Sequence, residues 1–179
     1  LWLLCCIPVV TIGASTAAMH HSAYRLLNGD KQVFQNFKEG WRLHWKKASL
    51  VWLFQGVLSA LFIFYYIFVY QNEIPGSEIM TAIAGLAFIV LVFLSTWIYP
   101  IMIQFKGNVR EYIFNAFIFA FMYVPLTAVI AAAYIGAGFL FDRFLLAKGL
   151  IVFFGPALLV YITLAVYNYA FKKYKTPAE

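Results

Sequence analysis

Four stretches of the chain carry no Asp, Glu, Lys or Arg: Ala48–Tyr70, Ile79–Phe105, Tyr112–Phe141 and Gly149–Phe171. Each reaches or exceeds the roughly 20 residues that a helix rising 1.5 Å per residue needs to cross a hydrocarbon core about 30 Å thick. None keeps the two-residue alternation of a membrane β-barrel strand. Lipid offers no water to backbone N–H and C=O groups, so such runs must satisfy them internally, as helices. The pattern predicts an all-α, polytopic transmembrane helical bundle in a single domain. The expected spans are 48–70, 79–104, 112–136 and 149–171.

The N-terminal part is less regular. Residues 1–10 (LWLLCCIPVV) are apolar from the start and lack the basic region that precedes the apolar core of a signal peptide. They read as the second half of a truncated transmembrane helix, followed by a turn near Pro8–Gly13. A return helix over 14–27 completes about six helices; in a five-span alternative that segment lies at the interface.

Composition agrees: 64% of residues are hydrophobic and 11% charged, against roughly 25% charged in soluble domains. The formal net charge of +6 would suggest nucleic acid, but the basic residues sit beside the ends of apolar runs, which argues for no nucleic-acid partner. Lys and Arg gather in cytoplasmic loops. Alternating the loops places eleven basic residues on one side and two on the other. The loop Arg25–Lys47 and the C-terminus, with Lys172, Lys173 and Lys175, are therefore expected in the cytoplasm. Tyr65, Tyr66, Tyr70, Tyr167, Tyr169 and Tyr174 fit interfacial aromatic belts.

Candidate chemistry is sparse. Gly13, Ala14, Ser15, Thr16 and Ala17 form a run of small residues suited to close helix packing or, on a sharper reading, to a turn lining a substrate path. Within the cytoplasmic amphipathic segment 31–47, Phe34, Phe37, Trp41 and Trp45 share one face of a helix. Lys31, Lys38, Arg42 and Lys46 form an adjoining basic stripe. That arrangement suits a helix lying on an anionic leaflet, or docking a cytoplasmic protein. Gly40 is a place for it to bend. Gln55, Ser59, Ser95, Thr96, Gln104, Asn115, Thr127, Thr163 and Asn168 are polar positions within spans, expected to make interhelical hydrogen bonds. Pro8, Pro100, Pro125 and Pro156 lie in or near spans, where proline kinks helices.

His20, His21 and His44 show no spacing that makes a metal or acid–base set, and adjacent Cys5 and Cys6 are poorly placed for an ordinary disulfide. The four clear spans contain no ionisable Asp, Glu, Lys, Arg or His, the residues that mark proton relays and ion pathways in membranes. No nucleotide-binding loop, zinc-protease motif or nucleophile elbow is present. No catalytic residue, cofactor or metal site is expected.

Pro8-Val9-Val10-Thr11-Ile12-Gly13-Ala14-Ser15-Thr16-Ala17-Ala18, together with Phe37, Trp41, Arg42, Trp45, Lys46, Lys47 and Ala48, resembles the YesL-like family of uncharacterised bacterial integral membrane proteins. Members commonly carry Asn at the position of His44. The family has no established functional residues to transfer. Its genes often lie beside carbohydrate importers of the ATP-binding-cassette (ABC) type and polysaccharide-degrading enzymes. The resemblance therefore implies a non-enzymatic accessory subunit in the bacterial cytoplasmic membrane, packed against ABC-importer permease subunits. A small independent transporter or channel is the alternative.

Overall fold

The change from charged to uncharged residues at Ala48 does not interrupt the helix. In the computed structural model, which describes residues 2–6, 8–72, 76–143 and 145–171, one helix runs without a break from Val33 to Asn72. The elements are α1 (Trp2–Cys5), a single 3-10 turn (Val9–Thr11), α2 (Ile12–Leu27), α3 (Val33–Asn72), α4 (Glu78–Gln104), α5 (Val109–Met122), α6 (Val124–Arg143) and α7 (Leu145–Phe171). There are no strands among the described residues. The chain is an α-helical multi-pass membrane protein.

Among the described residues three helices are long and apolar enough to cross a bilayer: α3, α4 and the Phe154–Phe171 part of α7. The fourth uncharged run, read as one span over 112–136, is two helices, α5 and α6, that meet at 100°. Pro125 accounts for the break. It has no N–H to donate one turn back, and its ring would clash with that carbonyl. As the second residue of α6 it occupies the first turn, where a donor has no intrahelical partner anyway. Among its described residues, the stretch expected as a truncated first helix holds the four-residue α1 and the start of the 3-10 turn. The Thr11 hydroxyl lies 2.6 Å from the Cys5 carbonyl oxygen and 2.8 Å from that of Pro8, tying this turn together.

The segment with the weakest hydrophobic signal, α2, lies at the centre. Gly13, Ala14, Ser15, Ala17, Ala18, Met19, His20, His21 and Ser22 are all buried, and α2 packs against α3, α4 and α7. At 16 residues it spans about 24 Å. Its contacts with α3 include Ser22, which donates to the Val33 carbonyl (2.9 Å), Arg25, which pairs with Glu39 (3.1 Å), and Gly13, which abuts Ala48 and Trp52; Trp52 also donates to Val9 in the turn before α2 (2.9 Å). Thus α2 lies along the charged half of α3 rather than along its apolar half. In the turn between them the Gln32 N–H donates to Asp30 (3.0 Å). That bond, with the Asn36 side chain, holds the Asp30 carboxyl below its ordinary range.

The second centre of packing is aromatic. Trp97 of α4 is fully buried and meets Tyr167 edge-on at 5.0 Å between ring centroids, Phe171 at 5.8 Å, and Phe119 and Tyr123 in stacked geometry at 5.6 and 6.0 Å. Its indole N–H donates to Thr127 Oγ1 at 2.7 Å. Tyr167, grouped by sequence with the interfacial belt, belongs to this core, and its hydroxyl donates to the Thr96 carbonyl at 2.6 Å. Tyr66, Tyr70 and Tyr169 stay exposed, as belt residues are. Tyr174 and the basic C-terminus, Lys172, Lys173 and Lys175, lie outside the described residues. Beyond the core, the C-terminal half of α3 and the first half of α4 pair through Phe62 and Phe88 (5.9 Å) and leave most of their apolar surface outward.

Candidate functional site

A helix built from small residues brings neighbouring backbones close, and α2 uses this on two sides. Towards α3, a Cβ on Gly13 would fall on the Ala48 carbonyl oxygen and 2.5 Å from Trp52 Cβ. One on Gly40 would lie 2.6 Å from His21 Cβ. Both glycines mark where α2 and α3 approach most tightly. The run Gly13, Ala14, Ser15, Thr16, Ala17 lies within α2, and four of its five members are buried. Thr16 is the exception.

Thr16 and His20, one turn apart on α2, line a cavity of about 300 Å³. Its other walls are Val92, Ser95, Thr96 and Tyr99 of α4 and Ala131, Tyr134 and Ile135 of α6. Three residues singled out by sequence as polar or small (Thr16, Ser95 and Thr96) thus converge from two helices. The His20 ring is buried, with Nδ1 2.9 Å from the Thr16 carbonyl oxygen, and it stacks on Tyr99 at 5.8 Å. The Tyr99 hydroxyl is buried without a hydrogen-bond partner among the described residues. By sequence His20 has no carboxylate or metal-ligating partner at helical spacing and nothing singles out Tyr99; only the α2–α4 contact makes them neighbours.

The structure also joins two histidines that spacing kept apart. His21 of α2 and His44 of α3 have ring centroids 5.8 Å apart, and neither nitrogen of the buried His21 ring has a hydrogen-bond partner among the described residues. Among the described residues no three His, Cys, Asp or Glu side chains gather closely enough to hold a metal. Cys5 and Cys6 are free thiols.

The basic aromatic segment is not a separate helix. Because α3 is continuous through Gly40 and Ala48, residues 33–47 share an axis with the apolar half instead of lying across it. The four aromatics divide: Phe37 is buried in the core, Trp41 is half-buried, and Phe34 and Trp45 are exposed. Trp41 stacks on Trp45 at 6.4 Å, and the Lys46 ammonium sits 5.6 Å above the Trp45 ring. Lys38, Arg42 and Lys46 remain exposed, so the basic stripe stays on the surface while Phe37 enters the core and Trp41 packs against it. Lys47 turns to α5, donating to the Gly107 carbonyl at 2.7 Å and lying over the Tyr112 ring.

Of the polar residues expected to bond between helices, Ser95, Thr96 and Thr163 instead return their hydroxyl hydrogens to their own helices. Thr127 does join helices, through Trp97.

No curated protein and no solved structure matches the chain. Residues 1–66, which take in α1, α2 and most of α3 but neither the α4 nor the α6 wall of the cavity, match the family described as "Protein of unknown function, DUF624", a finding consistent with the YesL-like resemblance.

Proposed function

We propose that this chain is a non-enzymatic accessory subunit of a carbohydrate importer of the ABC type, resident in the bacterial cytoplasmic membrane with its C-terminus inside. The observation that carries the reading is the hairpin of α3 and α4. Only 6% of the most apolar stretch of α4, and 11% of that of α3, is buried within the chain. Lipid covers such a surface, and so can another membrane protein. Helix association in lipid depends on close packing at small residues. Gly56 and Gly85 stand in this hairpin with nothing within 4 Å of where a side chain would begin. The gene-neighbourhood association of YesL-like proteins supplies the permease as partner.

The full-length protein purified in mild detergent from cells grown on the inducing sugar should carry a permease pair and its ATPase in stoichiometric amounts. Gly56→Leu with Gly85→Leu should remove them while leaving the protein itself folded. Recovery of the protein alone would overturn the proposal.

The cavity between α2, α4 and α6 supports a second reading, a small independent carrier of a polar solute. On that reading, protein reconstituted alone into liposomes should take up labelled solute, and Ala131→Leu, which fills the cavity, should abolish uptake. Uptake equal to that of empty liposomes would sink it.

A further inference from the structure

The donor and acceptor inventory of the α2–α4–α6 cavity identifies the class of molecule it would hold, an inference that rests on the second reading above and not on permease docking. Three hydroxyls on its wall have already committed their hydrogens. Thr16 donates to the Ile12 carbonyl (2.8 Å), Ser95 to that of Leu91 (2.8 Å) and Thr96 to that of Phe93 (2.7 Å). A hydroxyl that has spent its hydrogen can only accept. Thr16 already accepts a long bond from the Trp2 indole (3.4 Å), which leaves Ser95 and Thr96 as the freer acceptors.

His20 follows the same logic. Its Nδ1 faces a carbonyl oxygen, which accepts and never donates, so Nδ1 carries the proton. In the neutral ring Nε2 is then a third acceptor. The wall is thus rich in acceptors, and a complementary ligand must bring O–H or N–H donors.

Charge narrows the class further. Among the described residues no Asp, Glu, Lys or Arg lines the cavity. A full charge placed there would be uncompensated, which is costly inside a membrane protein. The ligand is therefore neutral. Tyr99 and Tyr134 add aromatic faces against which C–H groups can pack. The volume of about 300 Å³ equals that of roughly ten liquid waters, which admits molecules from glycerol to a single sugar ring.

We propose that this cavity binds a small neutral polyol, whose hydroxyl hydrogens are donated to His20, Ser95 and Thr96. The test is saturation-transfer NMR on the protein in lipid nanodiscs, with glycerol, xylose and glucose as polyol probes and choline and acetate as charged ones. At least one polyol should give saturable transfer, and choline and acetate none. Thr96→Val, which keeps the shape and removes an acceptor, should weaken binding about fivefold to tenfold. Ala131→Leu should abolish it. Ser95→Ala serves as a second probe if Ala131→Leu does not give folded protein. Binding of choline or acetate that Ala131→Leu removes would overturn the polyol assignment while leaving a solute site in place. Binding of no probe at all, or polyol binding indifferent to Ala131→Leu, Thr96→Val and Ser95→Ala alike, would overturn the assignment and the solute site together.

Discussion

Gly13→Ala is expected to destabilise the protein by roughly 3 kcal/mol, the upper end for an added methyl group in a packed interior. The added carbon meets the Ala48 carbonyl oxygen and Trp52 Cβ. Neither is the far end of a flexible side chain. A backbone carbonyl of α3 can retreat only if α2 and α3 part along their length, and that contact carries Gly40 against His21, Ser22 against Val33 and Arg25 against Glu39. The comparison that isolates packing from helix propensity is Gly56→Ala. There the new carbon meets nothing within 4 Å, and replacing glycine by alanine inside a helix should be neutral or stabilising by up to about 1 kcal/mol. Thermal unfolding in one detergent, followed by loss of monodisperse protein on size exclusion, measures both. Equal midpoints for Gly13→Ala and Gly56→Ala would show that the α2–α3 approach is looser than these distances imply.

The second large effect is expected at Trp97. Trp97→Ala should cost about 3–5 kcal/mol, as for other fully buried aromatics. Four rings, from Phe119, Tyr123, Tyr167 and Phe171, close on the indole, and they come from α5, the α5–α6 bend and α7. No single neighbour can move in to fill the void without leaving the others. Thr127→Val separates the polar part of the effect. It keeps the volume and removes the oxygen that accepts from the indole N–H at 2.7 Å. An unpaired buried donor should then cost about 1–3 kcal/mol. The same unfolding assay reads both variants. If Thr127→Val costs as much as Trp97→Ala, the hydrogen bond, and not the ring packing, holds α4 to the α5–α6 bend.

The sharpest contrast between sequence and structure is at α2. Its apolar signal is weak because its residues are small, and hydropathy rewards large aliphatic side chains. Smallness is also what allows a helix to be enclosed by three others. The sequence run Gly13–Ala18 suggested close packing or a lining turn, but it could not name the surface that approaches. His20 and Tyr99, or His21 and His44, become neighbours only when α2 is laid against α4 and α3. The helical wheel of one segment carries no information about that pairing. Tyr167 illustrates the converse. Its place near the end of an apolar run matches a belt residue, yet its hydroxyl finds the Thr96 carbonyl inside the protein.

What the sequence by itself determined is the solvent. Four long uncharged runs require helices in lipid, because a backbone without water must satisfy its own hydrogen bonds. Pro100, Pro125 and Pro156 carried the same signal in the sequence, yet the helix breaks beside Pro125 and continues through Pro100 and Pro156. What only the tertiary structure decided is which of those helices remain outward, and where polar side chains meet. The charged and apolar halves of α3 became one rod, α2 took the centre, and Thr16, Ser95 and Thr96 came to share a cavity with His20 and Tyr99. Helix formation depends on contacts three and four residues apart, which a chain pattern records. The cavity depends on how separate helices lie against one another, which is set by the combined shapes of their surfaces.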